Sequence, residues 1–283
     1  MRKTGIFGYP LGHSISPHFQ NAAFNNLGIE ATYTAWPVDH AELPERIQTL
    51  KQPDFLGANV TIPYKEAVIP LLDEIDEAAL KIGSVNTIVN HCGTLVGHNT
   101  DTVGFLRSIL EYGNYEPAGQ DVLLIGAGGA ARAAAYALME AKVNTLWIAN
   151  RTYERAKRLA DEFFQVGEVK PIGLNDLEFS KAAASVSLIV NSTSLGMKHT
   201  SEAQINPLER LNIKSSTLVN DMVYNPLYTP MLTNLENNGI RILNGLPMLV
   251  LQGAASFELW TSREAPVDIM FSAAQQALLG QSD

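Results

Sequence analysis

Apolar and polar positions change period repeatedly along the chain, and each change marks an element. TGIFGY (4–9) is a short apolar run suited to a buried strand. PHFQNAAFNNLG (17–28) has apolar residues at helical spacing, Pro17 in its first turn and Gly28 as a stop, which predicts a helix. ATYTAWPV (31–38) predicts the next strand and AELPERIQTL (41–50) the next helix. FLGANVTI (55–62) ends in a strand, DEIDEAALKI (73–82) reads as a helix, and SVNTIVN (84–90) and TLVGHN (94–99) are strands around a turn at Cys92–Gly93. This alternation predicts a largely parallel, covered sheet.

TVGFLRSILEY (102–112) predicts a helix bridging two domains, and the turn-rich GNYEPAGQ (113–120) marks the start of the second. There the rhythm restarts with DVLLIG (121–126), a small-residue helix near 129–140, TLWIAN (145–150) and TYERAKRLADEF (152–163). Strands follow at VSLIVN (186–191), STLVND (216–221) and IRILN (240–244), then an amphipathic stretch at 245–260 and a last helix at 265–280. The fold class is α/β, with two α/β domains.

Composition narrows the function classes. At 283 residues the chain can build two cores. A net charge of -9 discourages nonspecific binding to nucleic acid or anionic membranes. The single Cys92 excludes an intrachain disulfide, and no Cys or His cluster near it has metal-ligand spacing, so no metal is expected. The first residues do not read as a signal peptide, and no apolar run approaches the ~20 residues of a membrane span, so the expectation is a cytoplasmic protein.

The sharpest motif is VLLIGAGGAARAAAYAL (122–138). A strand delivers the chain to Gly126, Gly128 and Ala131, and a helix follows at once. Gly126 suits a tight turn, Gly128 leaves the backbone open to a pyrophosphate, and Ala131 lets helix and strand pack closely. The helix start then offers unpaired N–H groups to the phosphates. The alternative is a small-residue turn used only for packing. About 20 residues on, where an NAD-preferring fold carries an acid for the ribose hydroxyl, stand Asn150, Arg151 and Thr152, with Arg155 one turn later. A guanidinium pairs with a 2′-phosphate that an acid would repel, so the expected cofactor is NADP. As plain surface charges these arginines would oppose the helix dipole.

Three polar clusters fall at predicted strand ends in the first domain. Ser14 and Ser16 precede a helix and suit an anionic group, or Ser16 simply caps the helix. Asn59 and Thr61 share one side of a strand, and Lys65 follows the Pro63 turn, where it is either a surface lysine or part of the same site. Asn86 and Thr87 stand with the 99–102 segment, in which Asp101 is either a helix cap or the partner of Lys65 in an acid–base pair. His13, His98 and His199 are alternative acid–base candidates.

Read together, GHSISP (12–17), NVTIPYK (59–65), GSVNT (83–87), GHNTDTVGF (97–105), GAGGAARA (126–133), NRT (150–152), NSTSLGM (191–197), DMVYNP (221–226), TPML (229–232) and GLPMLVLQG (245–253) resemble the shikimate dehydrogenase family over nearly the whole chain. The resemblance implies NADPH-dependent, reversible reduction of 3-dehydroshikimate to shikimate, on the route to chorismate and the aromatic amino acids. It implies a substrate-binding domain of residues 1–106 completed by 245–283, an NADP-binding Rossmann-type domain of residues 107–244, and a cleft between them. Ser14 and Ser16 would hold the substrate carboxylate. Asn59, Thr61, Asn86, Asp101 and Gln252 would hold ring hydroxyls, Tyr224 would line the pocket, and Lys65 with Asp101 would be the catalytic pair. The glycine turn, Gly126, Ala127, Gly128, Gly129 and Ala130, would take the pyrophosphate, and Asn150, Arg151, Thr152 and Arg155 the 2′-phosphate. Thr193, Ser194, Met222, Gly245 and Met248 would approach the nicotinamide, whose pro-S hydride goes to the substrate C3. The protein would act on small molecules as a monomer or homodimer.

Two other functions compete. A quinate/shikimate dehydrogenase with broader NAD(P) use is disfavoured by Arg151–Thr152 and by the intact Ser14 and Ser16. A noncatalytic NADP-binding regulator is disfavoured because Lys65 and Asp101 are both present.

Overall fold

The computed structural model describes every residue except Pro10, His13, 164–166 and 281–283. His13, one of the acid–base candidates, thus lies outside the described residues. The chain forms two compact units, Met1–Gly104 with Val250–Asp283, and Phe105–Leu249.

The first unit contains β1 (Arg2–Gly8), α1 (Ser16–Asn26), β2 (Ala31–Pro37), α2 (Leu43–Thr49), β3 (Gly57–Val60), β4 (Glu74–Ile75), α3 (Glu77–Ile82), β5 (Thr87–His91) and β6 (Thr94–His98). Its sheet has the order β2-β1-β3-β5-β6-β4. The β1–β2 and β1–β3 pairings are parallel, as the alternating pattern predicts, and so is β4–β6. The β3–β5 and β5–β6 pairings are antiparallel, so the sheet is mixed. The cause is local: β5 and β6 are joined through Cys92 and Gly93, both at positive φ, and a turn this short can only reverse the chain. The helix predicted from 73 begins later. Glu74–Ile75 pairs with β6, and Asp76 caps α3 by accepting a hydrogen bond from the Ala79 N–H at 2.8 Å. One sheet face is covered by a core that includes Phe7, Ile47, Val60, Val85, Ile88 and Leu95. The other carries Asn59 and Thr87 toward the helix that holds Ser256.

Next along the chain is α4 (Asp101–Arg107), which gives way to a π-helical turn at Ser108–Tyr112, a break in the single helix predicted there. The second unit then has β7 (Asp121–Ile125), α5 (Gly129–Glu140), β8 (Thr145–Asn150), α6 (Tyr153–Phe163), β9 (Glu168–Gly173), α7 (Leu177–Ser185), β10 (Leu188–Asn191), β11 (Leu218–Asp221), α8 (Pro230–Asn237) and β12 (Arg241–Leu243). The chain ends with α9 (Leu246–Thr261) and α10 (Val267–Leu279). The second sheet is wholly parallel, in the order β12-β11-β10-β7-β8-β9. Val122 and Leu124 point into one core and Leu123 and Ile125 into the other, as a strand covered on both faces requires. The periodicity did not register β9, α7 and α8. β9 carries Pro171, which the ladder tolerates because β9 is an edge strand.

Candidate active site

In the first unit, one edge of the mixed sheet gathers the polar motifs. The C-terminal ends of β1, β3 and β6 and the start of β5 all lie there, because β5 runs against its neighbours. Gly8 leads from β1 toward Ser14 and Ser16. Thr61 follows β3, with its N–H donating to the Phe7 carbonyl at 2.8 Å. A side chain at Gly8 would collide with Thr61, so the two segments need glycine to lie this close. Lys65 is brought to the same edge by its backbone carbonyl, which accepts from the Val85 N–H at 2.8 Å, next to Asn86.

Lys65 Nζ stands 2.5 Å from Asp101 Oδ2, and both side chains are largely buried, with exposures of 16% and 6%. The other Asp101 oxygen accepts from Asn86 Nδ2 at 2.8 Å. The carboxylate thus serves Lys65 and Asn86. Asn86 Nδ2 also reaches Thr100 Oγ1 (2.9 Å) and Gln252 Oε1 (3.2 Å). Lys65, Asp101, Asn86 and Gln252 therefore form one cluster, drawn from four places in the chain.

Behind it lies a second, fully buried layer. The Tyr33 hydroxyl donates to Asn59 Oδ1 at 2.8 Å, while Asn59 Nδ2 is shared among the Asn86 carbonyl, Thr87 Oγ1 and Ser256 Oγ at 3.0–3.1 Å. Ser256 is also 2.8 Å from Thr87 and 3.0 Å from Thr100. The pattern along the sequence missed Ser256 and Tyr33. Ser256 lies four residues past Gln252, one turn along the same face of α9, and that spacing was the available signal.

Ser16 is the first residue of α1 and does not cap it; the cap position is Ile15, which has no side-chain acceptor to offer. Ser14 Oγ instead accepts weakly from the Ser16 N–H at 3.4 Å. His98 is committed elsewhere, with Nδ1 2.7 Å from Asp76 Oδ2. His199 lies in the second unit, beyond β10.

The second unit presents the glycine turn between β7 and α5. Gly126 has φ +117, and a side chain there would meet Ser192 and Thr193. Gly128 faces open space, and no side chain caps the α5 start that it precedes. Ala127, Gly129 and Ala130 complete this exposed helix start, which suits a pyrophosphate. Because β8 and β10 flank β7, the strand order reverses beside β7, and in open α/β sheets the C-terminal ends of the strands at such a point are where ligands bind. Asn150, Arg151, Thr152 and Arg155 follow β8. Asn150 Nδ2 donates to the Thr152 carbonyl at 2.9 Å, and Arg155 N–H to the same oxygen at 3.0 Å. Arg151 is 81% exposed and engages Glu202 at 3.0 Å, a partner the sequence reading did not anticipate.

On the other side of β7, Thr193 and Ser194 follow β10, and Met222 follows β11. Gly245 packs its backbone against Met222, and Met248 is buried in the core beside α5. Tyr224 lies just past β11, and burial pushes its hydroxyl above the usual tyrosine value. Among the described residues no group of three or more His, Cys, Asp or Glu could hold a metal ion, and no helix is long and apolar enough to cross a membrane.

Comparison with known proteins bears on both units. The family model for the shikimate dehydrogenase substrate binding domain matches residues 6–88, that for shikimate / quinate 5-dehydrogenase matches 111–226, and that for the shikimate 5′-dehydrogenase C-terminal domain matches 245–275. Shikimate dehydrogenase (NADP(+)) of Moorella thermoacetica is 44% identical over 277 residues, covering 97% of this chain and 93% of the relative. The chain belongs to the shikimate dehydrogenase family. Within that family, the shikimate 5-dehydrogenase of Thermus thermophilus, solved with NADP(H) and shikimate, superimposes with a TM-score of 0.86 at 36% identity, covering 98% of this chain and 100% of that one. A quinate dehydrogenase of Corynebacterium glutamicum, solved with NAD, gives 0.88 at 30% identity, covering 97% and 99%.

Proposed function

We propose that this member of the shikimate dehydrogenase family catalyses the reversible, NADPH-dependent reduction of 3-dehydroshikimate to shikimate. The observation that carries the reading is the buried Lys65–Asp101 pair at 2.5 Å, joined through Asn86 to Gln252. Lys65 donates a proton to the C3 oxygen as that atom gains charge, and its ammonium stabilises the charge as it grows. In the oxidative direction the neutral amine takes the proton back. Asp101 holds the ammonium in place, and Asn86 holds Asp101. Thr61, Asn86, Asp101 and Gln252 bind ring hydroxyls, Ser14 and Ser16 bind the carboxylate, and Tyr224 lines the pocket. Asn59 binds a ring hydroxyl with them, and Tyr33, Thr87, Ser256 and the Asn86 carbonyl hold its amide in place from behind.

The second unit fits NADP. Gly126 to Ala130 form the open helix start for the pyrophosphate, while Asn150, Arg151, Thr152 and Arg155 take the 2′-phosphate. Thr193, Ser194, Met222, Gly245 and Met248 shape the nicotinamide side. The bound cofactor supplies the hydride. The same reading makes the protein a cytoplasmic enzyme of small-molecule metabolism, working as a monomer or homodimer without nucleic acid.

The test is absorbance at 340 nm with purified protein, comparing NADP and NAD, each with shikimate and with quinate. Reduction of NADP by shikimate at rates far above the other three pairs is the expected result. Comparable rates with NAD and quinate would overturn the role given to Arg151, and silence with all four pairs would overturn the enzymatic reading.

A further inference from the structure

We infer that Asp221 is a positioning residue that holds the three segments of the nicotinamide side in one arrangement. The inference rests on the NADP reading above. Asp221 ends β11 and is fully buried. Its Oδ1 accepts from Asn191 Nδ2 at 3.0 Å and from the Val223 N–H at 3.1 Å, and its Oδ2 accepts from Thr229 Oγ1 at 2.7 Å. All three partners are neutral donors.

Each partner leads to a different part of the site. Asn191 Oδ1 accepts from both the hydroxyl and the N–H of Thr193, at 2.6 and 3.1 Å, while the Asn191 carbonyl accepts from Met222 N–H at 2.9 Å. The Thr193 hydroxyl accepts in turn from Leu195 N–H at 3.2 Å, which fixes the turn containing Ser194. The Val223 carbonyl accepts from Gly245 N–H at 3.1 Å, and Gly245 starts the turn that carries Met248. Thr229 caps α8 and lies against Gly196, at the far end of the 191–196 loop. One carboxylate thus ties together residues 191–195, 222–223 and 245–248, and Gly126 of the pyrophosphate turn abuts the first of these.

A carboxylate is a costly choice for this task. Burial disfavours the charged form and pushes its pKa up to about 6, against the opposing pull of its three hydrogen bonds. An ion of this kind contributes little to stability, yet as an acceptor of several bonds it admits one geometry. Its place among the residues that would face the reacting ring is where such a geometry matters.

The experiment compares wild type with Asp221→Asn in four measurements: kcat, binding of 2′,5′-ADP, the face from which deuterium leaves C4-labelled NADPH, and amide hydrogen exchange. The expected result is a ten- to hundredfold loss of kcat, transfer no longer confined to one face, and 2′,5′-ADP affinity within twofold of wild type. Exchange should rise at 191–195, 222–223 and 245–248 and stay unchanged in β7 and β8. A purely structural role would lower thermal stability while leaving facial selectivity and the kcat of the folded protein intact, and that result overturns the inference. Where Asp221→Asn does not fold, Thr229→Val removes the Oδ2 bond at the position most distant along the chain from these loops, and the same criteria apply. If wild type itself shows no turnover, the functional reading fails separately. NADPH-induced protection of the three segments in wild type, lost in the variant, then supports the inference, and equal protection in both overturns it.

Discussion

Removing the Lys65 ammonium should damage catalysis and stability by different amounts, and a double-mutant cycle separates the two. Lys65 and Asp101 are 16% and 6% exposed and share a 2.5 Å contact. Lys65→Ala leaves a buried carboxylate with Asn86 Nδ2 at 2.8 Å still donating to it. Breaking a buried pair costs about 3–5 kcal/mol, and the remaining Asn86 bond with partial solvent access brings the expected loss to about 2–3 kcal/mol. Lys65→Ala with Asp101→Asn leaves no buried charge, so the double variant should be more stable than Lys65→Ala alone, with a coupling of about 1–3 kcal/mol. Catalysis should not recover with it. Losing a positioned proton donor costs about a hundred- to ten-thousandfold in kcat, or about 3–5 kcal/mol at 1.36 kcal/mol per decade. Urea unfolding of the four proteins and initial rates at 340 nm give both sides of the cycle. A Lys65→Ala enzyme within tenfold of wild-type kcat, or a double variant less stable than Lys65→Ala, would refute the reasoning.

Three other outcomes follow from particular contacts. Arg151→Ala should weaken NADP binding about ten- to hundredfold, the worth of a charge-assisted bond to phosphate, and leave NAD within twofold; calorimetry with both cofactors checks it. Asp221 has a folded-state pKa raised from 3.8 to about 6, so the folded protein binds the proton more tightly than the unfolded chain. Its contribution to stability is therefore fully present below about pH 4 and is lost as pH rises through 6, by about 3 kcal/mol. Urea unfolding between pH 4 and 7 should show this trend in wild type relative to Asp221→Asn, and parallel pH profiles would exclude it. Ser256→Ala should cost about 1–3 kcal/mol by leaving part of the Asn59, Thr87 and Thr100 layer unpaired, and should raise the shikimate KM more than it lowers kcat. Thermal unfolding and steady-state kinetics read both effects.

Most of the architecture was legible along the chain. Buried strands such as DVLLIG and TLWIAN alternate with helices whose apolar residues recur at helical spacing, and this depends on neighbours in sequence, so it survives without any tertiary information. The glycine turn was legible for the same reason, since a strand, a tight turn and a helix start are all contained within 122–138. The motifs also identified the family. What the sequence left open was which of two roles a polar residue plays when both are locally possible. Without the resemblance Lys65 reads first as a surface lysine, while Asp101 and Ser16 each read also as a helix cap. Tertiary structure shows which contacts form: β5 returns antiparallel to β3 and brings Asn86 and Asp101 to the edge where Lys65 already stands, and Ile15 rather than Ser16 takes the cap position of α1. The Asn59 amide, the Ser256 layer, the Arg151–Glu202 pair and the Asn191–Asp221 bond are likewise contacts between distant segments. A hydrogen bond is specified by distance and direction in space, and no period along the chain encodes a partner 30 or 197 residues away.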